Sequence, residues 1–240
     1  MATRVHGVTV CKNELDRFLV SCLKWNSNFC DTLFVYDDQS DDGSLDAAKR
    51  YAEVVVRPDS IAPFLVDESE FRQAGWDAFQ EKIMPLDGDF VLAFDLDEFW
   101  YGPSLHDIGS NWDYSFSGGI IKRPEMWSYG SPLVRVDDLW NTIENIRFWP
   151  FQKGGFFKKQ DLAGGSHPLY AAVKTTRIDG FLLHYGYSNM YDRQVRFDRY
   201  INRGGHNTRH IKTIVNSMPT IKNLELVREW SFPDVFKGCV

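Results

Sequence analysis

The sequence predicts an α/β chain built on a mostly parallel sheet. Three observations predict it. Short apolar runs alternate with helically periodic segments through the first hundred residues, the pattern of repeated βα units. Polar clusters close three of those runs: Lys12-Asn13-Glu14, Asp37-Asp38-Gln39-Ser40 and Asp95-Leu96-Asp97-Glu98. After Trp100 the character changes, and Gly, Pro and Trp become frequent, as in a mixed sheet with long loops.

The elements follow in order. Val5 to Cys11 reads as a strand. Glu14 to Trp25 carries Leu15, Phe18, Leu19, Cys22 and Leu23 on one stripe, the spacing of a helix packed on a sheet. Thr32 to Tyr36 is a second strand, and the polar turn after it can cap a helix from Ser44 to Ala52. Glu53 to Val56 is a third strand. Phe71, Ala74, Gly75, Ala78 and Phe79 mark a longer helix from Asp67 to Ile83, and Phe90 to Phe94 is a fourth strand. Parallel strands joined this way place ligands at their carboxyl ends, where the three polar clusters fall.

Composition bounds the rest. The chain has 240 residues, 43% hydrophobic and 25% charged, enough apolar matter for a sizeable core. It reads as a single domain over 1–240, because no linker or internal repeat interrupts it. A net charge of −6 argues against a surface that grips nucleic acid everywhere. Cys11, Cys22, Cys30 and Cys239 form no CxxC pair and read as reduced core residues of a cytosolic protein. The N-terminus leads straight into a strand, with no secretory signal, and no apolar run approaches the ~20 residues that span a bilayer. A soluble, cytoplasmic protein is expected. The sequence leaves its oligomeric state open.

The run Phe90-Val91-Leu92-Ala93-Phe94-Asp95-Leu96-Asp97-Glu98-Phe99-Trp100 is the most informative. In extended backbone, residues two apart share a face. Two carboxylates there repel each other and lose hydration, so positive charge should sit between them. A hard divalent cation is the natural candidate, and a solvated acidic turn is the plainer alternative. No GxxxxGK[ST], GxGxxG or GxSxG segment is present, which sets aside P-loop enzymes, common dinucleotide binders and nucleophile-elbow hydrolases.

Four segments in order resemble the family 2-like glycosyltransferases. Val10-Cys11-Lys12-Asn13-Glu14 is similar to the first strand and K-N-E turn of that family. Phe34-Val35-Tyr36-Asp37-Asp38-Gln39-Ser40-Asp41-Asp42-Gly43-Ser44 resembles its D-D-x-S-x-D-G-[ST] loop. Phe71-Arg72-Gln73-Ala74-Gly75 resembles its a-R-N-a-G segment, with Gln73 in place of Asn. Asp95-Leu96-Asp97-Glu98-Phe99 matches the D-x-D-E-F form of its DxD motif. Later, Leu183-His184-Tyr185-Gly186-Tyr187 resembles its H-Y-G segment. The resemblance implies a GT-A fold: a Rossmann-like, mostly parallel central sheet flanked by helices, with a nucleotide-sugar-binding half at 1–100 and a mixed-sheet acceptor-side half at 101–240. It implies a hexosyltransferase-like enzyme that uses a nucleotide-sugar and Mn2+ or Mg2+.

Under that resemblance Asp95 and Asp97 hold the cation, and His184 reaches the metal or the pyrophosphate or is instead a buried structural His. Glu14, Asp38, Arg72, Asp95 and Arg193 fall at the nucleotide. Asp38 can accept from the N3–H of a base, favouring uracil and hence a UDP-linked donor, or it caps a helix. Arg72 reaches base or phosphates, or pairs with Glu68. His167 is a weaker candidate in a Gly-rich segment. The cation offsets charge growing on the leaving β-phosphate. An inverting reaction also needs a base for the acceptor hydroxyl. Asp161 is the first choice for it, Glu125 the second, and Asp137 or Asp138 the third, each otherwise a surface acid. The basic stretch from Arg193 to Lys212 suits an anionic acceptor, a segment closing over the donor diphosphate, or a solvated helix face. The acceptor is open among glycan, lipid-linked sugar, protein and modified nucleic acid. A nucleotidyltransferase and a non-enzymatic metal- or nucleotide-binding module are the alternatives.

Overall fold

The computed structural model describes residues 3–128, 133–136, 140, 143–158, 166–202, 214 and 220–223. Asp137, Asp138, Asp161 and the stretch 203–213 lie outside the described residues. The strands β1 (Val5–Cys11), β2 (Thr32–Asp37), β3 (Glu53–Val56) and β4 (Phe90–Ala93) stand where the sequence places them. β1 pairs in parallel with β2 and with β4, and β2 pairs in parallel with β3. The remaining strands are β5 (Glu98–Tyr101), β6 (Gly118–Lys122), β7 (Leu133–Arg135), β8 (Glu144–Pro150), β9 (Thr175–His184) and β10 (Ile221–Asn223). An eight-stranded sheet runs β3-β2-β1-β4-β8-β6-β9-β5, and β7 pairs with β10 in a second sheet. β8 is antiparallel to β4, so the sheet is mixed but parallel through the half that carries the polar loops.

The helices are α1 (Leu19–Asn26), α2 (Ser44–Ala48), α3 (Glu68–Ile83), α4 (Leu105–Ser110) and α5 (Met190–Asn202). α1 starts five residues later than its apolar stripe predicts. The reason is local: the amides of Glu14 and Leu15 are spent on Ser44 Oγ and Asp42 Oδ2, and Asn13 has a φ of 52°. α3 is the longest helix, and its start is fixed by Asp67, whose Oδ1 accepts from the Glu70 amide at 2.9 Å. It packs Phe71, Trp76 and Phe79 against Phe34, Tyr36, Val91, Trp149 and Phe151 of the sheet side. Burying such aromatics contributes most of the hydrophobic stabilisation of this half.

Gly75 lets that packing happen. A Cβ there would meet Tyr36 Cδ1 at 2.9 Å, so the helix can lie on the Tyr36 ring only without one. Contacts divide the chain into two compact units, 1–121 with 145–180 and 122–144 with 181–240. The first holds the parallel strands. The second has its own small core of Trp140, Tyr187 and Ile214. Among the described residues no helix is long and apolar enough to cross a membrane.

Candidate active site

Two polar loops of the first unit are zipped together. Asn13 donates from Nδ2 to Asp41 Oδ1 at 2.8 Å, and the Asp41 amide donates back to Asn13 Oδ1 at 3.0 Å. Lys12 Nζ donates to Gln39 O at 2.7 Å. Asp37 is fully buried and accepts from both the amide and the hydroxyl of Ser40. The K-N-E turn and the acidic loop after β2 therefore form one scaffold. Asp38 serves the same purpose on the far side: Oδ1 accepts from Arg57 Nε at 2.5 Å and Oδ2 from the Phe64 amide at 3.1 Å. Arg57 in turn donates to the Ile61 carbonyl. Asp38 thus secures the segment between β3 and α3.

The D-x-D-E segment is a tight turn, not extended backbone. The Glu98 amide donates to Asp95 O at 2.8 Å, and the Asp95 amide donates to Glu98 Oε2 at 2.9 Å. The turn sends the two aspartates to different arginines. Arg147 Nη2 lies 3.1 Å from Asp95 Oδ2 and 2.9 Å from Glu98 Oε1. Arg17 Nη2 lies 3.5 Å from Asp97 Oδ2, while its Nη1 holds Glu14 Oε2 at 2.7 Å. Glu98 is fully buried and Asp97 nearly so, whereas the Asp95 side chain is 37% exposed. The expected positive charge is present, and in the protein alone two guanidinium groups supply it. Among the described residues no group of three or more His, Cys, Asp or Glu side chains is arranged to hold a metal ion. The donor set of Asp95 and Asp97 is hard oxygen, which fits a cation that takes its other ligands from phosphate and water.

A cleft opens at the carboxyl ends of β1 and β4. Tyr36, Trp76, Trp149 and Phe157 give it apolar walls, and Arg72, Asp95, Arg147 and Ser166 give it a polar side. Arg147 and Trp149 share a face of β8 because alternate strand residues do. Arg72 Nε donates to Glu68 Oε1 at 2.8 Å, and its guanidinium lies 5.3 Å from the Phe64 ring centre. The pair with Glu68 leaves Arg72 at the cleft wall. Burial, followed by the charges of Arg147 and Arg72, pushes His167 below its ordinary pKa, so it is neutral beside them. Burial also raises the thiols of Cys11 (to about 12), Cys22 and Cys30, which makes them inert core groups.

The second unit holds a different cluster. His184 Nδ1 and Glu125 Oε2 form a close buried pair, and Glu125 Oε1 accepts from Arg123 at 2.8 Å. Burial favours the neutral Glu125, but the charges of His184 and Arg123 override it and bring its pKa down to about 2. Glu125 is thus held as a carboxylate between His184 and Arg123. Arg193 stacks on Trp127 at 4.2 Å, and Arg135 lies 4.9 Å from Trp127 and 4.4 Å from Trp140. Arg193 is thus set in an aromatic stack of this unit.

Of the residues expected at the nucleotide or metal, Glu14, Asp38, Arg72, Asp95 and Asp97 fall in the first unit, and His184 and Arg193 in the second, together with the candidate base Glu125. Arg17 and Arg147 were missed. Arg17 falls inside the segment expected as a helix, where nothing in the sequence marks it. Arg147 had a readable signal in the alternation Asn145-Ile146-Arg147-Phe148-Trp149, a charge on one face of an apolar strand.

No family model matches this chain, and no curated protein matches it. Among solved structures it is similar to glucosyl-3-phosphoglycerate synthase from Mycobacterium tuberculosis in complex with Mn2+, UDP and phosphoglyceric acid. The identity is 19% and the TM-score 0.34, over 51% of this chain and 43% of that one. A second similarity is to 4-diphosphocytidyl-2C-methyl-D-erythritol synthase, at 12% identity and a TM-score of 0.41, over 62% of this chain and 76% of that one. The chain spans less than half the length of the first of these, and neither likeness reaches beyond the α/β fold.

Proposed function

We propose that the chain is a glycosyltransferase that moves a sugar from a nucleotide-sugar, UDP-linked, to an acceptor hydroxyl with inversion. The observation that carries this reading is the cleft at the ends of β1 and β4. It sets the half-buried Phe157 and the edge of the apolar core beside Arg72, Arg147 and the Asp95 carboxylate. Guanidinium groups take phosphate oxygens in pairs. Asp95 and Asp97 would hold Mn2+ or Mg2+. That cation, when bound, supplies charge against the leaving diphosphate.

The chain's own residues do the rest. Glu14 holds Arg17 in place, and Arg17 steadies Asp97. Asp38 fixes the segment that carries Phe64 against Arg72. Arg147 and Arg72 bring positive charge to the diphosphate, and the apolar walls exclude water from the donor.

A thermal-shift screen of UDP, CDP, GDP and their sugar conjugates, each with Mn2+, tests the reading. UDP and one UDP-sugar should raise Tm, and release of UDP from that sugar nucleotide should accompany transfer. A shift by none of these ligands would overturn the proposal.

A further inference from the structure

Arg147 sits where an incoming cation must compete with it. Its Nη2 bridges Asp95 Oδ2 at 3.1 Å and Glu98 Oε1 at 2.9 Å, and its side chain is only 5% exposed. It comes from β8 and is held at Glu98, the fully buried carboxylate of the pair. Asp95 is the more exposed member of the trio and lines the cleft together with Arg147. Glu98 is tied down by the Asp95 amide and is fully buried. Of the three groups, Asp95 is the one able to change partner.

We infer that Arg147 is an internal counter-cation of the Asp95 carboxylate, which makes divalent-cation binding conditional on a nucleoside diphosphate in the same cleft. This rests on the donor reading proposed above. Three points support it. First, a divalent ion approaching Asp95 meets a guanidinium already on that carboxylate, and like charges at such range repel. Second, among the described residues the protein offers no set of three or more acidic, His or Cys ligands, so a bound ion needs ligands from elsewhere. Third, a diphosphate brings both the missing oxygens and the negative charge that Arg147 loses when Asp95 turns to the metal. Metal and nucleotide then help each other, and the coupling is reciprocal. Arg17 does not impose the same condition on Asp97: its contact is longer, 3.5 Å, and Glu14 holds it at 2.7 Å.

The test uses Mn2+ alone, UDP alone and both together, with free Mn2+ counted by electron paramagnetic resonance. Arg147→Met would leave the buried Glu98 charge without its partner, so the working variant is the double change Glu98→Gln with Arg147→Met. It removes both charges and keeps an oxygen for the Asp95 amide. Circular dichroism and Tm confirm its fold. In the wild-type chain UDP should tighten Mn2+ binding by about tenfold or more. The double variant should bind Mn2+ alone about tenfold more tightly than wild type, and UDP should tighten it further by less than about threefold. Equal Mn2+ affinity of the two proteins without nucleotide overturns the inference, and if UDP with Mn2+ still binds, the donor reading survives that result. A gain of Mn2+ affinity in the variant with no UDP binding to either protein keeps the competition at Asp95 and removes the donor reading instead.

Discussion

Arg57 and Asp38 form a buried ion pair, with Nε and Oδ1 2.5 Å apart and both side chains at most 7% exposed. The pair closes the start of the segment that leads from β3 to α3, and the Phe64 amide completes it on Oδ2. An acid at the end of β2 therefore determines where Phe64 and Arg72 stand.

Asp38→Ala leaves Arg57 buried without its partner, so it should lower stability by about 3–5 kcal/mol. It should also weaken UDP binding by about 1–3 kcal/mol, the cost of an unpaired donor. Chemical denaturation and calorimetric titration measure the two separately. Lost stability with an unchanged UDP dissociation constant would show that Asp38 is an anchor of the segment and nothing more.

Glu125 makes stability depend on acid. Its folded pKa is about 2 against an ordinary 4.5, lowered by His184 and Arg123 despite burial. Between those values the unfolded chain binds more protons than the folded one. The contribution is complete above about pH 4.5 and falls away as the pH drops toward 2. Tm recorded against pH for wild type and Glu125→Gln should show a gap that narrows through this window. A gap that stays constant from pH 6 to pH 3 would contradict the assignment.

Gly75→Ala sets two effects against each other. Alanine in a helix interior gains about 1 kcal/mol over glycine. Its Cβ would stand 2.9 Å from Tyr36 Cδ1, and overpacking of this kind costs about 1–3 kcal/mol. The ring is enclosed by Phe71 and the sheet, so the clash should win and the variant should lose about 1 kcal/mol. A Tm at or above that of wild type would mean that the Tyr36 ring yields.

Much of the first half was legible because local signals agreed there. Alternation, helical stripes and turn residues all pointed to β1 through β4, and the polar clusters at their ends lie where parallel strands put them. Four features were not legible. The D-x-D-E turn reads as extended until the Glu98 side chain is seen to close it onto the Asp95 amide. The late start of α1 depends on hydrogen bonds to Asp42 and Ser44, which are distant in sequence. Arg147 reaches Asp95 through an antiparallel pairing of β8 with β4, and a long-range register of that kind leaves no local mark. His184 looked like a strand-end ligand, and its partner Glu125 was legible only as a separate acid, because their pairing spans the chain from one segment of the second unit to another.

The central claim is that the cleft beside Asp95 and Asp97 binds a nucleoside diphosphate with a divalent cation. Calorimetric titration of UDP into wild type and Asp97→Asn, each with Mn2+ and with chelator, tests it most directly. The account predicts that wild type binds UDP with Mn2+ at least about tenfold more tightly than with chelator, and that Asp97→Asn loses this gain while keeping its Tm. Equal UDP affinity in all four titrations, or no binding in any of them, would contradict it.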